Sequence, residues 1–217
     1  MGWSARFRIR LKHHALLLSA TSLLLLTVYI IVPGDDKKYL WSMATAYTSI
    51  ILLAVTLMIG PLNLIRGKLN PVSTDLRRDV GIWCAATGLA HVIVGIQVHM
   101  GNIWLYFFKA VEDVDSFKLR NDLFGYANYA GLLAGFILLL LLLLSNDLSL
   151  NILKSKRWKS FQQTIYLLFV LTLAHGIMFQ VIEKRKTALV ILFGVVILIP
   201  VIMQIKGFQA FQRKIRK

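Results

Sequence analysis

The chain has 217 residues, of which 57% are hydrophobic and only 16% are charged, and its formal net charge is +15. The hydrophobic content excludes an ordinary soluble domain. The positive charge is concentrated in a few short segments between apolar stretches, which is typical of membrane topology, so we expect no binding to nucleic acid.

Six apolar stretches are each long enough to cross a bilayer, which takes about 20 residues. They cover residues 15–32, 41–65, 80–100, 125–144, 159–182 and 187–205. They predict an all-α fold, a polytopic six-transmembrane-helix bundle over residues 15–205. A basic N-terminal arm (residues 1–14) precedes the bundle and a basic tail (residues 206–217) follows it. The aromatic segment from Asn102 to Lys109, between the third and fourth stretches, predicts a short helix at the membrane surface, and a docking surface for an outside partner is the alternative.

The charges of the loops predict the orientation of the bundle. Seventeen of the 25 Lys and Arg residues lie in the N-terminal arm, the second and fourth loops and the tail, whereas seven of the 10 acids lie on the other side. Because basic loops stay in the cytoplasm, both termini are expected there, in a cell inner (plasma) membrane. The loop 183–186 (EKRK) is basic but falls on the outer side, against this rule.

His91 and His175 indicate a function. Each lies within a long apolar segment, residues 80–100 and 160–182, that contains no Asp, Glu, Lys or Arg. An ionisable residue within the bilayer costs a few kcal/mol, so it is a functional site by default. Two histidines on two spans can ligate one heme iron, and two imidazoles leave no open position, which favours electron transfer over oxygen chemistry. Gly88 and Gly95 share a helix face with His91 and would let a flat ligand approach.

Other residues near these histidines are further candidates for contact with a heme. His99 is an alternative ligand, although its position better fits the outer interface, solvated or near a heme propionate. Thr172, one turn before His175, is a weak candidate for the second-shell acceptor of that ring. A stripe of small residues on the fourth span predicts mainly helix packing. Its members are Ala127, Gly131 and Gly135.

Two segments resemble a known superfamily. Residues 77–81 (RRDVG) leading into Leu89-Ala90-His91, and residues 158–166 (WKSFQQTIY) followed by Ala174-His175, are similar to the third and fifth spans of ferric-reductase-like transmembrane domains. Six spans, cytoplasmic termini and small size are similar to the MsrQ-like branch, the heme-bearing membrane subunit of a periplasmic methionine sulfoxide reductase system. The resemblance implies one heme b per chain, held by His91 and His175.

The chain departs from the superfamily pattern on the cytoplasmic side. Gln162 stands where the pattern has its first fifth-span histidine, and Arg77 and Arg78 fall near the third-span counterpart. The resemblance therefore implies that the inner heme is absent. A flavin or a quinone near Gln162, Gln163 and the basic loop would fill the gap that this leaves.

These observations predict a membrane b-type cytochrome. It would pass electrons from a separate donor, a cytoplasmic flavin reductase or a quinone, to an acceptor protein or small molecule on the outer face. We expect an electron-transfer subunit of an oxidoreductase rather than a complete enzyme. The alternative is a heme-free structural or anchoring subunit of a larger membrane complex, in which both histidines form hydrogen bonds between helices. A transporter is disfavoured because the apolar stretches contain no carboxylate.

Overall fold

A computed structural model describes residues 3–67, 75–111 and 114–215, and it is 83% helical. Seven α-helices are found in these ranges. They are α1 (Trp3–Ile31), α2 (Lys37–Ile65), α3 (Asp75–Gly95), α4 (Leu123–Leu143), α5 (Asp147–Gln162), α6 (Ile165–Ile182) and α7 (Thr187–Ile215). The predicted arm and tail are helical where the structure describes them, as extensions of α1 and α7.

The segment between α3 and α4 corrects the all-α prediction. A 3-10 helix (Ile103–Tyr106) is followed by strands β1 (Phe108–Val111) and β2 (Val114–Leu119), which pair in antiparallel fashion. The predicted surface helix is thus only four residues long. Pairing of the two strands satisfies backbone groups that would be costly to leave unpaired beside a membrane.

Five helical stretches of the described residues are long and apolar enough to cross a membrane. They are Phe7–Ile31, Lys37–Ile65, Leu123–Leu143, Asp147–Ile182 and Thr187–Ile215. Their outer faces carry exposed large apolar side chains, as expected where lipid replaces water. Helix α3, which covers residues 80–95 of the third predicted span, is outside this set because charged residues occupy its first turns.

Polar side chains fix several helix starts. Asp36 accepts a hydrogen bond from the backbone N–H of Lys38 at the start of α2 (2.9 Å). Asp122 accepts from the N–H of Gly125 at the start of α4 (2.8 Å), and Asn146 caps α5 in the same way. These are ordinary N-caps, in which a short side chain satisfies a free backbone donor.

Two predicted spans have different bounds in the structure. Helix α3 ends at Gly95, five residues before the predicted Met100, because the buried Tyr106 hydroxyl holds the chain in a turn there. That hydroxyl donates to the Gly95 carbonyl and accepts from the N–H groups of His99 and Met100. The stretch 159–182 is divided between α5 and α6, which meet at residues 163 and 164.

Helix α2 is at the centre of the bundle, where it packs against α1, α3 and α7, while α4 packs against α3 and α6. Two ends of the bundle are distinguished below. The basic end is where Arg10 of α1 meets Asp79 of α3 and where Arg78 meets Asp147 of α5. The hairpin end carries the 3-10 helix and the β1–β2 hairpin.

Asp79 ties α1 to α3 at the basic end. Its carboxylate is fully buried and accepts hydrogen bonds from Nε and Nη2 of Arg10, at 3.0 and 2.7 Å. His13 Nδ1 lies 3.0 Å from Oδ2 of Asp79, and His14 Nε2 lies 3.4 Å from Oδ1, the oxygen that Arg10 contacts. A buried carboxylate is stable only when it is paired in this way. The arm is therefore held to the bundle by a specific ion pair.

Candidate cofactor site

The structure brings His91 of α3 and His175 of α6 together. Their ring centroids are 6.1 Å apart and the ring planes are inclined at 76°. A metal bound at about 2 Å from one nitrogen of each imidazole would put the two ring centroids about 6 Å apart. The observed separation therefore matches the spacing of two imidazoles that share one metal atom.

Backbone carbonyl groups orient both rings. His91 Nδ1 lies 2.9 Å from the carbonyl oxygen of Ser42, and His175 Nδ1 lies 2.8 Å from that of Ala127. Because a carbonyl oxygen only accepts, each Nδ1 must carry the proton, which leaves the Nε2 lone pair free. This is the arrangement found for histidine ligands. The acceptor for His175 is the Ala127 carbonyl, so the prediction of Thr172 in that role is wrong.

Glycines set the space around the rings. A Cβ atom built at Gly131 of α4 would lie only 2.6 Å from His175 Nδ1. One built at Gly95 would lie 3.6 Å from His91 Cε1, an ordinary contact. Gly88 instead faces Leu138 and Ser49, at 2.4 and 2.8 Å from the built Cβ, so helix packing already explains it. The sequence predicted mainly helix packing for Gly131 and did not reveal its contact with His175.

A mainly apolar cavity of about 200 Å³ contains both rings. Small-molecule pockets commonly measure about 300–1,000 Å³. A tetrapyrrole would therefore fill this cavity only with some rotation of the lining side chains. Gly88, Gly95, Gly131 and Gly135 all border the cavity, so the backbone forms part of its wall at these positions. The predicted cofactor-binding residues thus surround one cavity.

The donor set distinguishes between kinds of metal site. Within residues 3–67, 75–111 and 114–215, no group of three or more His, Cys, Asp and Glu side chains could hold a metal ion. A bare ion such as zinc needs about four ligands, of which His91 and His175 provide two. A macrocycle that brings its own four equatorial nitrogens needs only two axial ligands. The pair therefore fits heme by its chemistry and spacing, and does not fit a bare ion.

His99 lies at the hairpin end of the same cavity and is engaged elsewhere. Its Nε2 is 2.9 Å from Glu183 Oε1, and its ring stacks on Phe179, with centroids 5.7 Å apart. Phe179 in turn lies 4.9 Å from the His175 ring. The hydrogen bond from His99 lowers the pKa of Glu183 below its usual value. This geometry favours a position of His99 at the outer interface over a role of His99 as a heme ligand.

A second cavity, of about 490 Å³, lies at the basic end and collects the other predicted residues, Arg77, Arg78 and Gln162. Arg78 has 9% of its side chain exposed and donates from Nη1 to Asp147 at 2.7 Å. Within the described part of the chain, Arg78 Nε and Nη2 and Gln162 Nε2 are buried with no hydrogen-bond partner. All three atoms are donors, so the cavity suits a ligand with acceptor oxygens.

One layer of side chains separates the two cavities, since four residues line both. They are Leu53, Cys84, Leu138 and Leu168.

Comparison with known proteins identifies no relative of this chain: no family model, no curated protein and no solved structure matches it. The likeness to ferric-reductase-like domains therefore rests on the residues quoted for it above.

Proposed function

We propose that this chain is a membrane b-type cytochrome in which His91 and His175 hold one heme as axial ligands. The single observation that carries the proposal is the imidazole pair, with ring centroids 6.1 Å apart and both Nδ1 atoms fixed by carbonyl groups. When bound, heme supplies a one-electron redox centre, and bis-imidazole ligation leaves no position for oxygen. The chain contributes the ligands, their orientation and apolar walls that exclude water.

The cavity at the basic end supports a site for the electron donor, a flavin or a quinone. Its volume of about 490 Å³ is in the common range for small-molecule pockets. Gln162 Nε2 and Arg78 Nε are buried donors without a hydrogen-bond partner among the described residues, and they could donate to carbonyl or phosphate oxygens there, although Arg78 is also ion-paired with Asp75 and Asp147. Because one layer of side chains separates this cavity from the histidines, electrons would cross a short distance between them.

The proposed topology has six spans in the inner membrane, with both termini in the cytoplasm. Helix α3 would be the additional span, since its 21 residues extend over about 31 Å, close to the thickness of the hydrocarbon core. Its charged first turns lie at the basic end, with Arg10, Arg78 and Asp147. The positive-inside rule then assigns the basic end to the cytoplasm. The hairpin end would face an outer acceptor.

Optical and EPR spectra of variants test the assignment of the ligands. The purified wild type should show a Soret band and a low-spin bis-imidazole signal. His91→Ala and His175→Ala should each lose heme or become high-spin, because one axial ligand is missing. His99→Gln is the matched control and should keep the wild-type spectrum, since His99 pairs with Glu183. Identical low-spin spectra in both alanine variants would eliminate the proposed site.

The second candidate function is a heme-free structural subunit. Its support is that each Nδ1–carbonyl bond joins two helices, α3 to α2 and α6 to α4, as a purely structural histidine would. Iron content separates the two functions, because a structural subunit purified from cells supplied with heme would contain none.

A further inference from the structure

Arg185 is an incompletely paired cation in the cavity that contains the two histidines. It lies just after α6 and lines the cavity at the hairpin end. Its Nη1 contacts only the sulfur of Met43, a weak acceptor, at 2.6 Å. Its Nε is buried and has no hydrogen-bond partner within the described residues. Guanidinium groups in such surroundings are normally paired with an anion.

The backbone after α6 turns Arg185 back towards the bundle. Lys184 has a φ of +45°, in the left-handed region that residues other than glycine rarely adopt. The N–H of Arg185 donates to the Gln180 carbonyl, and that of Lys184 donates to the Val181 carbonyl. These two bonds form a Schellman motif. The loop 183–186 violates the positive-inside rule, and the direction of its turn explains why one of its basic residues, Arg185, lies at the cavity.

Among the described residues, Glu183 interacts electrostatically with this cation but forms no ion pair with it. Among the residues that the structure describes, no Asp or Glu lies within 4.0 Å of the Arg185 guanidinium. The nearest acid along the chain, Glu183, is held by His99 Nε2 at 2.9 Å. A ligand in the cavity that carries an anionic group would therefore meet Arg185 without a close carboxylate partner among the described residues.

We propose that Arg185 binds a carboxylate of the molecule that occupies the cavity between His91 and His175. This inference rests on the proposed function, because heme b carries two propionate groups on one edge of its macrocycle. Arg185 is then the residue that orients this edge towards the hairpin end, whereas the histidines fix only the iron. A charge-assisted hydrogen bond from a guanidinium to a carboxylate is short and strong, and so suited to this role.

Reconstitution with two tetrapyrroles tests the inference. The full-length apoprotein in detergent is titrated with hemin and with hemin dimethyl ester, in which both carboxylates are blocked, and the dissociation constants are read from the Soret band. The wild type should bind hemin about 10- to 100-fold more tightly than the ester, the range for a hydrogen bond to a charged group. Arg185→Gln should bind both with the affinity of the ester.

The adjacent exposed Lys186 provides the matched control. Lys186→Gln should keep the wild-type preference for hemin, and Arg185→Lys, which retains the charge, should keep part of it. If Arg185→Gln prefers hemin as strongly as the wild type does, Arg185 is not the carboxylate partner, although the cytochrome proposal stands. If the wild type binds neither tetrapyrrole, the proposed function itself fails. Equal affinity of the wild type for the two tetrapyrroles also overturns the inference, without any variant.

Discussion

Gly131→Ala directly tests the packing that positions His175. The new methyl group would lie 2.6 Å from His175 Nδ1 and 2.8 Å from Cε1, distances that side chains do not tolerate. The ring must therefore move away from α4. Since the acceptor of Nδ1 is the Ala127 carbonyl on the same helix, this movement breaks the 2.8 Å hydrogen bond.

Two terms give the size of the effect. Overpacking a well-filled interior costs about 1–3 kcal/mol. Loss of a hydrogen bond between neutral groups adds about 1 kcal/mol. The free energy of unfolding should therefore fall by about 2–4 kcal/mol, which for a chain of this size lowers the melting temperature by about 4–16 °C.

Thermal unfolding in detergent, followed by intrinsic fluorescence, measures this change, and the Soret spectrum reports the ligand in parallel. Gly194→Ala is the matched control, because no atom lies within 4 Å of its built Cβ and alanine favours a helix by about 1 kcal/mol. It should melt at or above the wild-type temperature. A Gly131→Ala protein with wild-type melting and spectrum would refute the placement of the His175 ring against α4.

Three further predictions concern other parts of the bundle. Asp79→Asn should lower the free energy of unfolding by about 1–3 kcal/mol, because Arg10 loses its buried partner, and a melting curve no different from the wild type would contradict this ion pair. The hydrogen bond from Arg120 lowers the pKa of Asp122 below its ordinary value. The stability that the Asp122 carboxylate provides should therefore be constant above about pH 4 and decline at lower pH. The difference in melting temperature between wild type and Asp122→Asn, measured from pH 3 to 8, should shrink only in the acid range. Gln162→Leu removes a buried amide nitrogen that has no hydrogen-bond partner in the described part of the chain, so the melting temperature should be unchanged or slightly higher. Reduction of the bound heme by a quinol or a reduced flavin should become slower. An unchanged rate of reduction would place the donor elsewhere.

The length of the apolar stretches predicted the predominantly helical architecture well, because the thickness of a bilayer sets the length of a spanning helix. Local interactions decided the bounds that were missed. Helix α3 stops at Gly95 because of the Tyr106 hydroxyl, a contact between residues 11 apart in sequence that no periodicity reports. The β1–β2 hairpin was not predicted, since its strands are short and follow no clear alternation.

The two histidines of the candidate site were predictable from the sequence, but the groups that orient their rings were not. His91 and His175 are conspicuous because each is a titratable residue in an apolar span. Their acceptors are backbone carbonyl groups, which every residue carries, so no sequence signal distinguishes Ser42 or Ala127. Gly131 had a signal in the small-residue stripe of α4, yet the stripe alone does not reveal that His175 packs on it.

The position of the Arg185 side chain at the cavity was not predictable from the sequence. In the sequence it is one of several basic residues in a loop that contradicts the expected topology. Only the left-handed Lys184 and the two hydrogen bonds of the Schellman motif show how the chain turns it towards the cavity.

The central claim is most directly tested by the amount of heme that the wild-type protein contains when it is purified from cells supplied with heme. Pyridine hemochrome absorbance, divided by protein concentration from amino-acid analysis, gives this ratio. The account predicts one heme b per chain, since the bundle offers one pair of facing imidazoles 6.1 Å apart. A ratio near zero, in a protein that is folded and monodisperse, would contradict it.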